Sequence, residues 1–115
     1  MFDVQVGDGS TYRESGTYEP GTEAVLAATP WGPLGMTICY DIRFPTMYSA
    51  MSDLGAEIIA VPAAFTATTG KDHWEILTRC RAIENSCYII AAGQGGLHES
   101  GRHSHGNSMI INPWG

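Results

Sequence analysis

The sequence has 115 residues, of which 43% are hydrophobic and 16% charged, a composition typical of one globular domain and unlike that of disordered or fibrous chains. Twelve acidic residues against six basic ones give a formal net charge of −6, so the chain lacks the basic stripe that nucleic-acid-binding proteins carry. No apolar run approaches the roughly 20 residues that span a bilayer, and we therefore predict neither a nucleic-acid nor a membrane partner.

The first half of the chain predicts a loop, a hairpin and a helix. Residues 1–21 are polar and contain turn residues such as Gly7-Asp8-Gly9, which predicts a loop. Two apolar segments, Glu23–Thr29 and Leu34–Cys39, flank a Pro- and Gly-containing turn and predict a β-hairpin. The next apolar residues recur at helical spacing before Gly55: Phe44, Met47, Tyr48, Met51 and Leu54.

The second half predicts three buried strands and one further helix. The apolar segments that predict strands are residues 57–62, 87–92 and 108–111. Between the first two, we predict a loop over Ala64–Gly70 and then a helix capped by Asp72. The apolar face of that helix is predicted to comprise Trp74, Leu77, Cys80 and Ile83. Residues 93–106 are rich in Gly, His and Ser and predict a loop. Strands that alternate with helices indicate an α/β fold.

Cys39 is the best candidate for a nucleophile. It ends an apolar strand just before a helix, where helix N-terminal N–H groups favour a thiolate and later an oxyanion. The alternative is a packed, inert thiol, the interpretation that we favour for Cys80 and Cys87. Three irregularly spaced cysteines predict free thiols and a reducing cytoplasm rather than a disulfide framework.

A cysteine nucleophile usually needs a base or a neighbour that lowers its pKa. The spacing of the four histidines singles out none of them as that partner. The cluster at His98, Glu99, His103 and His105 matches no structural zinc pattern. We therefore predict that this segment is a solvated or substrate-covering loop, and we predict no metal.

Several separated motifs, in the same order, resemble those of the nitrilase superfamily of carbon–nitrogen hydrolases. The resemblance covers essentially the whole chain and is greatest to the Nit branch, which includes deaminated glutathione amidases and ω-amidases. The motifs are residues 37–45 (Thr-Ile-Cys-Tyr-Asp-Ile-Arg-Phe-Pro), 62–66, 70–75, 81–85, 87–92 and 108–115.

The resemblance implies that residues 1–115 are part of a carbon–nitrogen hydrolase domain, an αββα sandwich that dimerises when full length. It implies hydrolysis of an amide bond in a small, carboxylate-bearing substrate, with no metal or organic cofactor. A Glu–Lys–Cys triad would form a thioester, release ammonia and admit water. Since half a sandwich leaves one sheet face without a partner, we also expect an exposed apolar surface.

The resemblance carries three catalytic roles over to residues of this sequence. Cys39 is the nucleophile, and the backbone N–H of Tyr40 stabilises the oxyanion. Glu14, in Tyr12-Arg13-Glu14-Ser15, matches a second acidic residue that positions the family's lysine and the substrate. From the residues alone, an exposed loop carboxylate is the interpretation that we favour for Glu14.

Three further residues are candidates for substrate binding. In some relatives an arginine at the position of Arg43 grips a substrate carboxylate, which a planar guanidinium suits well. A structural ion pair with Asp41 or Glu57 is the alternative. Phe65 and Thr66 follow a predicted buried strand, and they either line the pocket or pack within the fold.

The sequence also departs from the family pattern. The family's catalytic lysine and base glutamate match no residue here, since both are expected upstream of Met1 and the sole lysine, Lys71, belongs to another motif. Thr46 and Asn107 replace residues that are often Glu and His. Two alternatives therefore stay open: another nitrilase-type activity on nitriles or carbamoyl groups, and a non-catalytic fragment. We expect residues 1–115 alone to be inactive.

Overall fold

A computed structural model describes residues 2–7, 9 and 11–115. Its strands are β1 Asp3–Gln5, β2 Thr11–Arg13, β3 Val25–Thr29, β4 Gly32–Met36, β5 Ile58–Ala60, β6 Tyr88–Ala91, β7 Gly95–Leu97, β8 His103–His105 and β9 Met109–Ile111. Two α-helices, α1 Pro45–Asp53 and α2 Ala67–Asn85, and two short 3₁₀ helices, Glu14–Gly16 and Cys39–Arg43, complete the described elements.

Five strands form one mixed sheet in the order β3-β4-β5-β6-β9. The central strands β4, β5 and β6 are parallel, and the outer strands β3 and β9 pair antiparallel to them. The register aligns Leu34 with Ile58 and Ile58 with Tyr88. Parallel neighbours need a crossover connection, and α1 and α2 supply the two crossovers. The predicted α/β class is confirmed.

The core lies between the sheet and the two helices. Ile59, Val61 and Ile89 on the sheet and Tyr48 and Trp74 on the helices are almost completely buried. Packing is close here, since a Cβ at Gly35 in β4 would lie 2.9 Å from Cγ1 of Ile59. Helix α1 buries Tyr48 and Met51 of its predicted apolar face, whereas Phe44 and Leu54, at its two ends, are 40% and 66% exposed. The helix ends before Gly55, which adopts a φ of +92°.

The opposite face of the same sheet is apolar and uncovered by the described residues. Successive side chains of a strand lie on opposite faces of the sheet, so about every second side chain lies on this face. The exposed residues include Val25, Met36, Tyr88, Ile90 and Ile110, with exposed fractions from 41% at Ile90 to 79% at Ile110. This is the exposed apolar surface expected for half of a sandwich.

Two predicted loops contain short hairpins instead. Within residues 1–21, β1 and β2 pair antiparallel, and within 93–106 so do β7 and β8. Both predictions are wrong in part. In 93–106 the strands bear Gly, His and Ser and show no hydrophobic alternation, and in 1–21 the alternation is limited to Val4 and Val6. Met1, Asp8 and Ser10, which belong to the first predicted loop, lie outside the described residues.

The start and the buried face of the second helix also differ from prediction. Helix α2 begins at Ala67, and the Oγ1 of Thr66 caps it by accepting the N–H of Thr69 at 3.2 Å, so Asp72 is not the cap. Ile83 is 56% exposed while Arg81 is buried. Arg81 is accommodated because its Nε donates to the carbonyl of Ile42 at 2.9 Å and its Nη1 to Glu84 at 2.7 Å.

Candidate active site

Cys39 lies just beyond β4, as the first residue of a 3₁₀ helix. Its φ is +49°, a left-handed conformation that costs a residue with a side chain about 1–3 kcal/mol. The surrounding backbone holds it there: the N–H of Cys39 donates to the carbonyl of Pro62 at 2.8 Å. The N–H of Ile38 donates to Oδ2 of Asp41 at 2.8 Å. Observed strain of this kind is typical of functional turns.

A cavity of about 900 Å³ opens beside Cys39. It lies where the carboxyl ends of the parallel strands meet, the usual place for a site in an open α/β sheet. The β1–β2 hairpin forms the facing wall. Each candidate residue predicted from the sequence contributes to the lining: Glu14, Cys39, Tyr40, Arg43, Phe65 and Thr66. The fold therefore brings together residues that are more than fifty positions apart in the chain.

The environment of Cys39 favours the protonated thiol. Burial is the main cause that raises its pKa, and the negative charges of Glu14 and Asp41 raise it further. Hydrogen bonds from the backbone of Ala64 and Tyr40 act in the opposite direction. Among the described residues, no cation is a main cause that lowers this pKa. A thiolate at neutral pH therefore requires a positive charge or a base beyond those that surround Cys39 here.

The backbone N–H of Tyr40 lies next to Cys39, and its interaction with the sulfur lowers the pKa of the thiol. A donor in this position is also close to where an oxyanion would form after attack by that sulfur. The ring of Tyr40 belongs to an aromatic cluster, with its centroid 4.6 Å from that of Phe2. Phe2 in turn stacks on Phe44 at 4.8 Å. The cluster joins the N-terminal hairpin to the nucleophile turn.

Glu14 begins the 3₁₀ helix that follows β2. Its Oε2 accepts the N–H of Phe2 at 2.8 Å, and Ser15 beside it donates to Asp3 through its hydroxyl at 2.6 Å. These bonds hold the carboxylate against the cavity. Glu14 is exposed, as the alternative expected, but it also lines the cavity and its charge raises the pKa of Cys39.

Arg43 sits at the end of the 3₁₀ helix and lines the cavity. Its guanidinium carbon lies 5.2 Å from the ring centroid of Tyr40 and 5.5 Å from that of Phe65. Its Nη2 is 3.1 Å from Nδ1 of His73. In the described part of the chain the side-chain ion pairs are Arg79–Glu75 and Arg81–Glu84. The predicted alternative, a pair of Arg43 with Asp41 or Glu57, is thus not formed.

Phe65 and Thr66 combine packing with exposure to the cavity. Phe65 is buried and its ring lies 4.9 Å from that of Trp74. Thr66 caps α2 and also bridges to Ser104 on β8. Both alternatives raised for them hold at once, because each residue packs on one side and faces the cavity on the other.

Sequence reasoning did not anticipate the contribution of the N-terminal hairpin or of His73. Val4, Tyr12 and Arg13 line the cavity from the hairpin. The alternation of Val4 and Val6 with polar residues is the signal for a short strand. For His73 no sequence signal exists, because its contact with Arg43 spans thirty residues.

The His-rich segment 98–105 lies at the edge of the site. His98 is bonded to Oγ of Ser104 at 2.7 Å, and neither it nor His103 or His105 lines the cavity within the described residues. Over residues 2–7, 9 and 11–115, no three metal-ligating side chains gather at one point. Over the same residues, no helix has the length and apolarity to cross a membrane.

Comparisons with known proteins agree on one family. The sequence model described as carbon-nitrogen hydrolase matches residues 1–115. The chain is 54% identical to the deaminated glutathione amidase of Synechocystis sp. (strain PCC 6803 / GT-S) over 117 aligned residues, all of this chain and 43% of the relative. It thus spans less than half the length of the curated relatives that it matches.

Solved structures show the same similarity in three dimensions. The NitFhit protein of C. elegans matches all of this chain with 28% of its own, at 45% identity and a TM-score of 0.90. A mutant amidase from Nesterenkonia sp. AN1 matches 88% of this chain with 38% of its own, at 29% identity and a TM-score of 0.77. In that structure, the acetamide moiety of fluoroacetamide is added covalently at the active-site cysteine of that amidase.

Proposed function

Because this chain belongs to the carbon–nitrogen hydrolase family, we propose that it is the nucleophile-bearing part of an amidase in which Cys39 attacks the substrate. The observation that carries the proposal is the placement of Cys39 in a strained turn at the wall of the cavity. A packed structural cysteine would need neither the strain nor the cavity.

The proposed reaction proceeds through a thioester. The sulfur of Cys39, once deprotonated, forms a bond to the amide carbonyl carbon, and the carbonyl oxygen takes the electron pair. The N–H of Tyr40 donates to that oxyanion. When the oxyanion collapses, the C–N bond breaks and the nitrogen leaves as ammonia after it receives a proton. Water then attacks the thioester, which releases the acid and regenerates the thiol.

Glu14 and Arg43 have supporting roles in the proposal. The Glu14 carboxylate lines the cavity. Its negative charge disfavours the Cys39 thiolate, so its proposed role is to orient the reacting groups and not to activate the thiol. Arg43 offers a guanidinium to a carboxylate on the substrate. Phe65 and Thr66 line the space between. The substrate class is accordingly a small amide that carries a carboxylate.

The full-length protein and residues 1–115 alone are expected to differ in assembly and in activity. We propose a homodimer in a reducing cytoplasm for the full-length protein, on the strength of the family and of three free cysteines. A non-catalytic role for residues 1–115 alone is favoured by one observation: among the described residues, no cation is a main cause that lowers the pKa of Cys39. We therefore expect turnover only from a longer protein that contains this chain.

The test compares the longest reading frame that contains this chain with the 115-residue protein, and measures ammonia released from glutaramate, the monoamide of a five-carbon dicarboxylic acid. The longer protein should release ammonia, and its Cys39→Ala variant should not, while its circular dichroism is unchanged. Cys80→Ala is the matched control and should retain activity. An acyl adduct on Cys39, detected by mass spectrometry, would support the thioester. Turnover by the Cys39→Ala variant would overturn the proposal.

A further inference from the structure

Behind the cavity wall, His73 contacts Arg43. His73 lies in the second turn of α2, and its Nδ1 is 3.1 Å from Nη2 of Arg43. Arg43 lines the cavity, whereas His73 is not among the described residues that do. His73 therefore reaches the site only through the guanidinium of Arg43.

The chemistry of the two groups defines the direction of this hydrogen bond. A guanidinium carries five N–H donors and no acceptor, so Nδ1 of His73 must be the acceptor. This hydrogen bond requires the tautomer of His73 that carries its proton on Nε2. One Nη2 hydrogen of Arg43 therefore points away from the cavity. The hydrogen bond also restricts rotation of the guanidinium plane about the axis of the side chain.

Two aromatic rings restrict the same guanidinium further. Tyr40 and Phe65 lie 5.2 and 5.5 Å from its central carbon, within the range of cation–π attraction. Nε of Arg43 is buried and has no hydrogen-bond partner among the described residues. A buried donor without an acceptor costs about 1–3 kcal/mol. The guanidinium is thus oriented by its neighbours but left short of acceptors, as a site for an anionic oxygen requires.

We propose that His73 is a positioning residue for substrate recognition: it orients the Arg43 guanidinium so that Arg43 binds the substrate carboxylate in the cavity. This inference rests on the proposed amidase function and adds to it a residue outside the cavity. Bidentate binding of a carboxylate depends on the orientation of the planar fork. Loss of the His73 acceptor frees that fork to rotate, so an anionic substrate is affected more than a neutral one.

Two replacements of His73 separate positioning from bulk. In His73→Asn, Oδ1 stands close to the position of Nδ1 and accepts the same hydrogen bond. His73→Leu keeps the volume and removes the acceptor. His73 is exposed, so neither change disturbs the core. His103→Leu, on β8 and also exposed, is the matched control.

The experiment uses the longest reading frame that contains this chain and two substrates, glutaramate and the uncharged pentanamide. His73→Leu should raise KM for glutaramate about tenfold, corresponding to one misdirected charge-assisted hydrogen bond, with kcat and the kinetics on pentanamide unchanged. His73→Asn and His103→Leu should stay within about twofold of the parent. An equal loss on both substrates, or a loss as large in His73→Asn, would show a merely structural role and overturn the inference.

Binding separates this inference from the proposed function. Glutarate, which cannot be hydrolysed, is titrated calorimetrically into the Cys39→Ala protein with and without His73→Leu. A Kd raised about tenfold by His73→Leu supports the positioning role even if no amide is turned over. Absence of turnover would contradict only the proposed activity. An unchanged Kd refutes the role of His73 even if glutaramate is hydrolysed.

Discussion

The N–H of Cys39 donates to the carbonyl of Pro62 at 2.8 Å. The bond follows that from the N–H of Thr37 to the carbonyl of Ala60 at 3.1 Å, so the pairing of β4 with β5 continues past the ends of both strands. This extension holds Cys39 in place while its φ takes the left-handed value of +49°. The site is therefore built on the sheet and not on a free loop.

Relief of this backbone strain should be measurable. Glycine adopts positive φ without the Cβ clash, so Cys39→Gly should be more stable than Cys39→Ala by about 1 kcal/mol. Urea denaturation gives both free energies of unfolding. Ser49, exposed in the middle of α1, supplies the control, since there Gly should be less stable than Ala by about 0.5–1 kcal/mol. The same order at both positions would argue against strain at Cys39.

The reactivity of the Cys39 thiol should depend on pH and on Glu14. Its pKa is raised, chiefly by burial and also by the Glu14 charge, so the thiolate fraction at neutral pH is below that of a free thiol, whose pKa is about 8.5. In the 115-residue protein, alkylation of Cys39 by iodoacetamide should be slower at pH 7 than that of a free thiol, and its rate should still be rising at a pH where the rate for a free thiol has levelled off. Peptide mass mapping measures the rate for Cys39 separately from Cys80 and Cys87.

Glu14→Gln removes one negative charge from the wall of the site, so the pKa of Cys39 should fall. Its alkylation at pH 7 should then accelerate severalfold, since a fall of one pKa unit, about 1.4 kcal/mol, raises the thiolate fraction about tenfold. Glu23→Gln, in the exposed segment before β3, makes the same change of charge away from the cavity. A rate raised equally by both variants would mean that only net charge matters.

Removal of the buried Thr37 hydroxyl should lower the free energy of unfolding more than removal of the buried Tyr48 hydroxyl. Oγ1 of Thr37 donates to the carbonyl of Ala60 at 2.9 Å, so the Tyr48 hydroxyl donates to Oγ1 at 2.8 Å. Tyr48→Phe leaves Thr37 bonded and should cost about 1 kcal/mol, whereas Thr37→Val strands a buried hydroxyl and should cost about 1–3 kcal/mol. Urea unfolding of both variants checks the order. A larger loss in Tyr48→Phe would contradict this direction of donation.

The uncovered sheet face should make the 115-residue protein bind the dye ANS. The face presents Ile110 with 79% of its surface exposed, and apolar patches of this kind bind dye and promote aggregation. Ile110→Lys should lower both ANS fluorescence and light scattering. Ile76→Lys is the matched control, because Ile76 is 68% exposed but lies on α2. A 115-residue chain that binds no dye and stays monomeric would contradict the prediction.

The sequence alone was sufficient for the α/β class, the central strands and helix α1, because the strands are short continuous apolar segments and the apolar residues of α1 recur at helical spacing. The family also followed from the sequence, since its motifs are contiguous stretches such as residues 37–45. The start of α2 was missed because Thr66, within a Thr-rich stretch, competes with Asp72 as a cap, and only the bond to Thr69 decides between them.

At the site, the sequence identified Cys39 by its place at a strand end, together with the residues that its motif carries along. Only the tertiary structure decided what surrounds it: the +49° backbone at Cys39, the Glu14 charge on the opposite wall, and the His73 acceptor behind Arg43. The physical reason is distance along the chain. Periodicity and motifs report interactions between near neighbours, whereas a pKa, a cavity and an oriented guanidinium depend on groups that meet only when the sheet has formed.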